Sequence, residues 1–223
     1  MGEGNGMSKE DIMKEVIQMV ANPYNYVYQP IEHPYFANWE VTQICIDRLQ
    51  TILEYTGNVK GKRILDIGFQ IGWFCHKLAK LGARVTGLEL SNKNVNIAYK
   101  LSAYYGFPQT NPEFIGSRYE DYLKEGDSFD IILYLSNFHH ELRDLGPETA
   151  WKNINLISKC TNLMFLDMDE HHVTEWMRRW SGYQSAKWET DLILKHTAFT
   201  RFTPLRLSHA HGRMMYAFEK GGK

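Results

Sequence analysis

Two short stretches of this chain each place a pair of histidines among polar residues, directly after an apolar run. Asn137 to Glu141 follows the first such run, and Asp167 to His172 overlaps the end of the second. A histidine with a pKa near ~6.5 can remove a proton from an alcohol at neutral pH. His139 or His140 is therefore the candidate catalytic base. The alternative is a structural pair, with one ring bonded to a backbone carbonyl.

A metal site is a second interpretation of the same stretches, because imidazoles and carboxylates are common metal ligands. Neighbouring residues of a chain usually point apart, however, and no spacing typical of a metal site is present. We therefore predict no metal ligands. The residues considered were His139, His140, Glu141, Asp167, Asp169, His171 and His172.

The elements that must position these residues alternate between β-rich and helical patterns from residue 60 onward. Strands separated by single helices form βαβ units with right-handed crossovers, which give a mostly parallel sheet. Two final β-like runs, 202–208 and 214–219, are joined by too few residues for a helix and predict an antiparallel hairpin. The predicted fold class is α/β, with a doubly wound, mostly parallel seven-stranded sheet. The other predicted strands are 63–68, 84–90, 113–116, 129–135 and 163–168, and the helices are 73–81, 91–105 and 148–158.

The first 60 residues have a different pattern. Ser8 begins one predicted helix, and a second is predicted from about Trp39 to Tyr55, ended by Gly57. Between them, residues 24–39 are rich in aromatic side chains, and we call them the aromatic segment. They are expected to fold over a binding site, to pack against the sheet, or both. We predict an N-terminal helical and aromatic cap at 1–60 and a second domain at 61–223. The predicted inward residues of the second helix are Ile44, Ile46, Leu49, Ile52 and Leu53.

The first predicted strand ends in a turn, Asp66-Ile67-Gly68-Phe69-Gln70-Ile71-Gly72, that leads into a helix. We call these residues the glycine turn. Glycines permit a tight turn, and the helix N-terminus presents free amides to a ligand. A dinucleotide fingerprint, Gly-x-Gly-x-x-Gly, fails here because Gln70 and Trp73 occupy its second and third glycine positions. This disfavours a nicotinamide dehydrogenase.

The glycine turn instead resembles the first motif of the class I S-adenosylmethionine-dependent methyltransferases, commonly Asp-x-Gly-x-Gly-x-Gly, with Gln70 in place of the middle glycine. Glu89 lies 23 residues after Asp66, at the end of the second strand, where an acid can accept hydrogen bonds from ribose hydroxyls. The run from Phe129 to His140 is similar to the family's fourth strand, and the closing hairpin to its antiparallel seventh strand.

The resemblance implies S-adenosylmethionine as cofactor. A carboxylate near the turn suits a ligand that carries an ammonium and a sulfonium. Ser117 and Glu120 are both candidates for recognising the adenine. The residues that the resemblance implies for cofactor binding are Asp66, Gly68, Phe69, Gln70, Gly72, Glu89, Leu90, Ser117, Glu120, Ser136 and Asn137.

Composition limits the partners of this chain. Its 223 residues have a net charge of −1, which disfavours a general polyanion binder, although residues 171–223 alone carry a charge of +5. That segment is either a basic face of solvated helices and strands or a site for an anionic acceptor. It also leaves open an RNA methyltransferase, motivated by the group Trp176, Arg178, Arg179 and Trp180. A catalytically silent cofactor-binding subunit is a further alternative, motivated by Gln70.

The expected function is O-methylation of a small, anionic or sugar-like molecule. Three cysteines in apolar surroundings predict a reducing compartment, the cytoplasm. No apolar run approaches the ~20 residues that cross a bilayer, so no membrane partner is expected. The sequence does not predict the oligomeric state.

Overall fold

A seven-stranded sheet forms the centre of the computed structural model, which describes residues 7–42, 45–169, 186–208 and 213–221. A parallel pair of two-residue strands lies outside this sheet, β1 (Tyr26–Val27) and β2 (Glu40–Val41). The sheet has the strand order β5-β4-β3-β6-β7-β9-β8. Its strands are β3 (Arg63–Ile67), β4 (Arg84–Glu89), β5 (Glu113–Gly116), β6 (Ile131–Tyr134), β7 (Leu163–Asp169), β8 (Arg201–Ser208) and β9 (Arg213–Glu219).

The first five strands of the sheet run parallel, and β9 runs antiparallel to both β7 and β8. This topology confirms the predicted fold class, including the C-terminal hairpin. The residues that connect β8 to β9, 209–212, lie outside the described residues. The parallel strands direct their carboxyl ends to one edge, where open α/β sheets bind ligands.

Helices cover both faces of the sheet. Predicted N-caps are confirmed at α1 and α4, where the Ser8 and Ser91 hydroxyls accept the Asp11 and Asn94 amides. A short 3-10 helix covers Pro34–Phe36. The α-helices are α1 (Lys9–Val20), α2 (Cys45–Thr56), α3 (Trp73–Lys80), α4 (Asn92–Tyr105), α5 (Tyr119–Tyr122), α6 (Phe138–Leu145), α7 (Pro147–Cys160) and α8 (Ala186–His196).

Alternate residues of the central strands enter two different apolar clusters. Ile64 and Leu133 pack with α2 and α3 on one face, whereas Leu65 and Ile132 pack with α6, α7 and α8 on the other. Both faces of β3 and β6 are therefore buried. That burial explains why these strands are continuous apolar runs in the sequence.

The second helix differs from its prediction. Helix α2 begins at Cys45 rather than Trp39, because Glu40 and Val41 pair with β1 instead. Ile46, predicted to point inward, is 65% exposed. Cys45, Leu49 and Ile52 are buried, and their spacing places them on one helical face. Ile44 lies outside the described residues.

Packing crosses the predicted domain boundary at residue 60. Met13 and Val16 of α1 share a cluster with Ile97 and Leu101 of α4. Helix α2 likewise packs on the sheet through Ile52. The N-terminal region therefore completes the core, and the division into 1–60 and 61–223 stays a prediction about sequence organisation. None of the helices that the structure describes is long and apolar enough to cross a membrane.

Helix α2 offers a matched pair for testing this packing. Ile52 is fully buried and Ile46 is mostly exposed on the same helix. We expect Ile52→Ala to lower the free energy of unfolding by about 2–5 kcal/mol, because it opens a cavity under the sheet. We expect Ile46→Ala to change it by less than about 0.5 kcal/mol. Urea unfolding followed by circular dichroism measures both, and equal losses would contradict the packing of α2.

Candidate active site

A crevice opens at the carboxyl ends of β3, β4 and β6. It has two lobes, each with a volume of about 700 Å³. The first lobe extends toward α5 and α6 and is lined by Leu88, Leu90, Ser117 and Glu120, among others. The second lobe extends toward α2 and the aromatic segment. Gly68, Glu89, Asn137 and His140 line both lobes.

Asn137 and Gly68 fix the floor of the crevice. The Asn137 Nδ2 donates hydrogen bonds of 2.8 Å to the backbone oxygens of both Ile67 and Leu135, so it ties the ends of β3 and β6 together. Gly68 has a φ of +73°, and a Cβ there would lie 2.3 Å from the Asn137 side chain. Only glycine fits this position, as the predicted turn requires.

Gln70 occupies the middle glycine position of the motif that the glycine turn resembles, and it keeps a glycine-like conformation. Its φ is +60°, which costs a residue with a Cβ about 1 kcal/mol. Two hydrogen bonds oppose that cost. The Gln70 amide donates to Glu89 at 3.0 Å, and its side-chain oxygen accepts the Ile71 amide at 2.8 Å. The turn therefore retains its shape despite the substitution.

Glu89 stands between the two lobes. One carboxylate oxygen accepts the Gln70 amide and the other accepts the Ser91 amide at 2.9 Å. These contacts hold the carboxylate at the end of β4 with further lone pairs available. A carboxylate oxygen accepts more than one hydrogen bond, so Glu89 can also bind a pair of hydroxyl groups.

Asp66 supplies a buried acid to the second lobe. Its side chain is 3% exposed and accepts a hydrogen bond from the Cys75 thiol at 3.3 Å. Burial raises the pKa of Asp66 to about 7. A cation in the second lobe would favour the ionised carboxylate, since opposite charges stabilise one another most where water is excluded.

Sequence reasoning missed Arg48, which α2 contributes to the second lobe. Its Nη1 lies 2.8 Å from Asp167 Oδ2 in an ion pair that is almost fully buried. Asp167 also accepts hydrogen bonds from the backbone amide and hydroxyl of Ser136. Asp167 was considered as a metal ligand, and it instead orients Arg48 and Ser136. The sequence does carry one sign of this role, because position 48 is a charged residue on the helical face that also carries the apolar Cys45 and Ile52.

The two candidate bases occupy different positions. Their rings are in contact, with centroids 4.1 Å apart. His140 is exposed and lines both lobes, whereas His139 is not among the residues that line either lobe. Burial, then the charges of His140 and Arg213, lowers the pKa of His139 to about 3. Burial and Arg143 also lower the pKa of His140. Both rings are neutral at neutral pH, and His140 is the one that faces the crevice.

The remaining predicted cofactor contacts divide between the first lobe and the core. Leu90, Ser117 and Glu120 line the first lobe. The Phe69 side chain is 1% exposed and packs on Phe114, so it contributes to the core and not to the crevice. Gly72 lies below the crevice, where a Cβ would come within 2.8 Å of Phe114.

Two polar groups from α5 and α6 complete the first lobe. The Tyr119 hydroxyl donates to Glu141 at 2.8 Å. Burial raises the pKa of Glu141 to about 7. Glu141 was considered as a metal ligand, but among the described residues no group of three His, Cys, Asp or Glu could hold a metal ion. Glu170, His171 and His172 lie outside the described residues.

The aromatic segment borders the crevice, and its buried Phe36 packs in a cluster with residues of α1 and α4 instead of with the seven-stranded sheet. Tyr28 and Gln29 line the second lobe. Gln29 also accepts the Trp73 amide at 3.1 Å, which caps the first turn of α3. Phe36 and Trp39 instead pack on each other, with ring centroids 5.0 Å apart.

Comparisons with known proteins agree with this geometry. A family model described as a methyltransferase domain matches residues 64–160. The O-antigen chain terminator bifunctional methyltransferase/kinase WbdD of Escherichia coli is 27% identical over 155 residues, 64% of this chain and 21% of that protein. A ubiquinone biosynthesis O-methyltransferase of Mesorhizobium japonicum is 37% identical over 81 residues, 36% of this chain and 31% of that protein. This chain thus matches about a fifth to a third of the length of these relatives.

Solved structures share the whole fold. A crystal structure of WbdD superimposes with a TM-score of 0.72 and 20% identity, covering 95% of this chain and 47% of that one. The N-terminal domain of EvdMO1 with SAH bound gives a TM-score of 0.67 and 15% identity, covering 99% of this chain and 100% of that one. The chain has the fold of the class I S-adenosylmethionine-dependent methyltransferases. Its glycine turn and Glu89 lie within the matched methyltransferase domain.

Asp66 allows a test that separates stability from binding. Its folded pKa of about 7 exceeds the ordinary ~3.9 of the unfolded chain, so stability falls as the pH rises between these two values. Asp66→Asn removes this loss. We expect the variant to match the parent near pH 4 and to exceed it at pH 8 by roughly 2–4 kcal/mol, while binding S-adenosylhomocysteine more weakly.

Urea unfolding at several pH values and calorimetry measure these two effects. The exposed Asp191 of α8 provides the matched control, Asp191→Asn. A pH profile of Asp66→Asn that runs parallel to that of the parent would reject the buried acid.

Proposed function

We propose that this protein transfers a methyl group from S-adenosylmethionine to an oxygen atom of a small, anionic molecule. The observation that carries the proposal is the position of Glu89, which the Gln70 and Ser91 amides hold between the two lobes. One lobe then receives the nucleoside and the other receives the amino-acid part. The match to a methyltransferase domain supports the same reaction.

The crevice residues fit the cofactor group by group. Glu89 accepts the two ribose hydroxyls, and the adenine lies in the first lobe between Leu88 and Leu90. Ser117 and Glu120 offer polar contacts to the base. In the second lobe, Asp66 favours the positively charged end of the cofactor.

The cofactor supplies a methyl group that is bonded to a positively charged sulfur. When the methyl group is transferred, this sulfur leaves as a neutral thioether, which is an excellent leaving group. The protein then has to align the acceptor oxygen and exclude water. His140 borders both lobes as a neutral imidazole, so it can take the proton of an acceptor hydroxyl. His139 packs behind it and positions its ring.

Arg213 supports an anionic acceptor. Its Nε and Nη1 are buried, and within the described part of the chain they have no hydrogen-bond partner. After burial, its charge is among the causes that lower the pKa of both candidate bases. Two other basic residues of the C-terminal segment are already paired, Arg201 with Glu219 and Arg206 with Asp47. Guanidinium nitrogens that are buried and have no partner among the described residues are available to an anion.

The cytoplasmic location is part of the proposal, supported by the free, buried thiols of Cys45, Cys75 and Cys160. The RNA methyltransferase and the silent subunit remain the alternatives. The residues that motivated RNA binding, 176–180, lie outside the described residues. Transfer of labelled methyl groups to separated small-molecule, RNA and protein fractions tests all three. Label in the small-molecule fraction supports the proposal, whereas label in RNA alone or in no fraction contradicts it.

Removing the Glu89 carboxylate should weaken cofactor binding. We expect Glu89→Ala to bind S-adenosylhomocysteine at least about tenfold more weakly, because two charge-assisted hydrogen bonds to the ribose are lost. A loss of ~1.4 kcal/mol of binding free energy raises the dissociation constant tenfold. Glu113→Ala, on neighbouring β5 and exposed, should bind normally. Calorimetry gives both constants. Unchanged affinity in Glu89→Ala would exclude the ribose contact.

Removing the candidate base should affect turnover and not binding. Once an acceptor fraction is identified, we expect His140→Ala to lower kcat by about 10²-fold or more, with unchanged affinity for S-adenosylhomocysteine. His196→Ala, on α8 and packed on Trp151, serves as the control. Full turnover in both His140→Ala and His139→Ala would show that neither histidine is the base.

A further inference from the structure

A second cavity lies on the other side of α3 from the crevice. It has a volume of about 760 Å³ and is enclosed by the aromatic segment, α3 and the end of α4. We call it the α3 cavity. The residues that line it are different from those that line either lobe of the crevice. Methyl transfer at the crevice therefore gives it no role.

Aromatic side chains form the walls of the α3 cavity. His76 stacks on Phe107 with centroids 5.5 Å apart, and it meets Tyr105 edge to face at 5.4 Å. A hydrogen bond of 2.9 Å between His76 Nε2 and the Ser102 hydroxyl fixes the imidazole ring. Trp73 forms a further wall. Rigid rings on several sides select a flat, apolar ligand, because such a ligand can stack without forcing the walls to move.

The border of the cavity is basic. Lys77 and Lys80 lie in the last turn of α3. Lys77 forms an ion pair with Glu32, and its Nζ lies 5.4 Å from the Trp73 ring centroid. Lys80 is exposed and has no ion pair with any residue that the structure describes. An ammonium group beside stacked rings complements a negative charge on the edge of a ring system.

We propose that the α3 cavity is a second ligand site, which binds a planar aromatic anion. The ring system lies among Trp73, His76 and Phe107, and the negative group lies against Lys80. A carboxylate, a sulfonate or a phosphate ester meets this requirement equally, because each presents anionic oxygens to an amine.

The aromatic segment connects this site to the crevice. Pro30 and Glu32 border the α3 cavity, whereas Tyr28 and Gln29, immediately before them, line the second lobe. The Glu32 amide donates to the Tyr105 hydroxyl at 3.1 Å. A ligand held in the cavity steadies this short stretch and the Gln29 cap on α3. It therefore raises the affinity of the crevice for its own ligand, and the effect is reciprocal.

Fluorescent probes test the site on the full chain. The anionic probe is 8-anilinonaphthalene-1-sulfonate, and N-phenyl-1-naphthylamine is its uncharged counterpart. We expect Lys80→Glu to weaken binding of the sulfonate at least about fivefold and to leave the neutral probe unchanged. Lys152→Glu, an exposed lysine of α7, is the matched control and should change neither. Equal sulfonate binding in Lys80→Glu and the parent would overturn the proposal.

Saturating S-adenosylhomocysteine then separates the two sites. We expect it to leave the sulfonate bound and to tighten its binding, and we expect Gln29→Ala to abolish the tightening. Complete displacement of the sulfonate would place the probe in the crevice and reject a second site. The probe measurements do not require methyl transfer, so failure of S-adenosylhomocysteine to bind would refute the proposed function while the Lys80→Glu comparison still tests the α3 cavity.

Discussion

The crevice depends on one close contact, between the Asn137 side chain and the backbone at Gly68. The amide nitrogen of Asn137 bonds to strand ends on both sides of it, so β3 and β6 cannot separate at this edge. No Cβ fits at Gly68, and the turn that begins at this glycine is joined to β4 by the Gly68 amide, which donates to the Leu88 backbone oxygen at 2.7 Å. That turn brings the Gln70 amide to Glu89. The spacing of β3 and β6, the shape of the glycine turn and the position of the Glu89 carboxylate therefore all depend on the contact between Asn137 and Gly68.

The fold was largely predictable because its central strands are buried on both faces. Such strands are continuous apolar runs, as in β6, whose four residues are all buried. The edge strand β5 was also predicted with the bounds that the structure has, Glu113–Gly116. The start of α2 was not predictable in the same way. Glu40 and Val41 pair with Tyr26–Val27, which lies 14 positions earlier in the aromatic segment. Local pattern alone cannot distinguish such a pair from the first turn of a helix.

The site was predictable where its residues are close in sequence. The glycine turn forms from consecutive residues, and Glu89 follows one helix and one strand later. Arg48 and Asp167 meet across 119 positions, and only the packing of α2 on the sheet brings them together. Phe69 also lies inside the motif, and its side chain is buried on Phe114, so its predicted cofactor contact stays a prediction.

The cap on α3 has a consequence for the order in which this protein folds. Gly72 has no side chain to accept the free amides of the helix, and Gln29 accepts the Trp73 amide from 44 residues earlier in the chain. The first turn of α3 is therefore completed by a loop closure and not by its own neighbours. The Trp73 amide at the start of α3 therefore gains its partner only when the N-terminal region docks. The strands of the sheet can pair before this contact forms, because the contact joins residues that are distant in sequence.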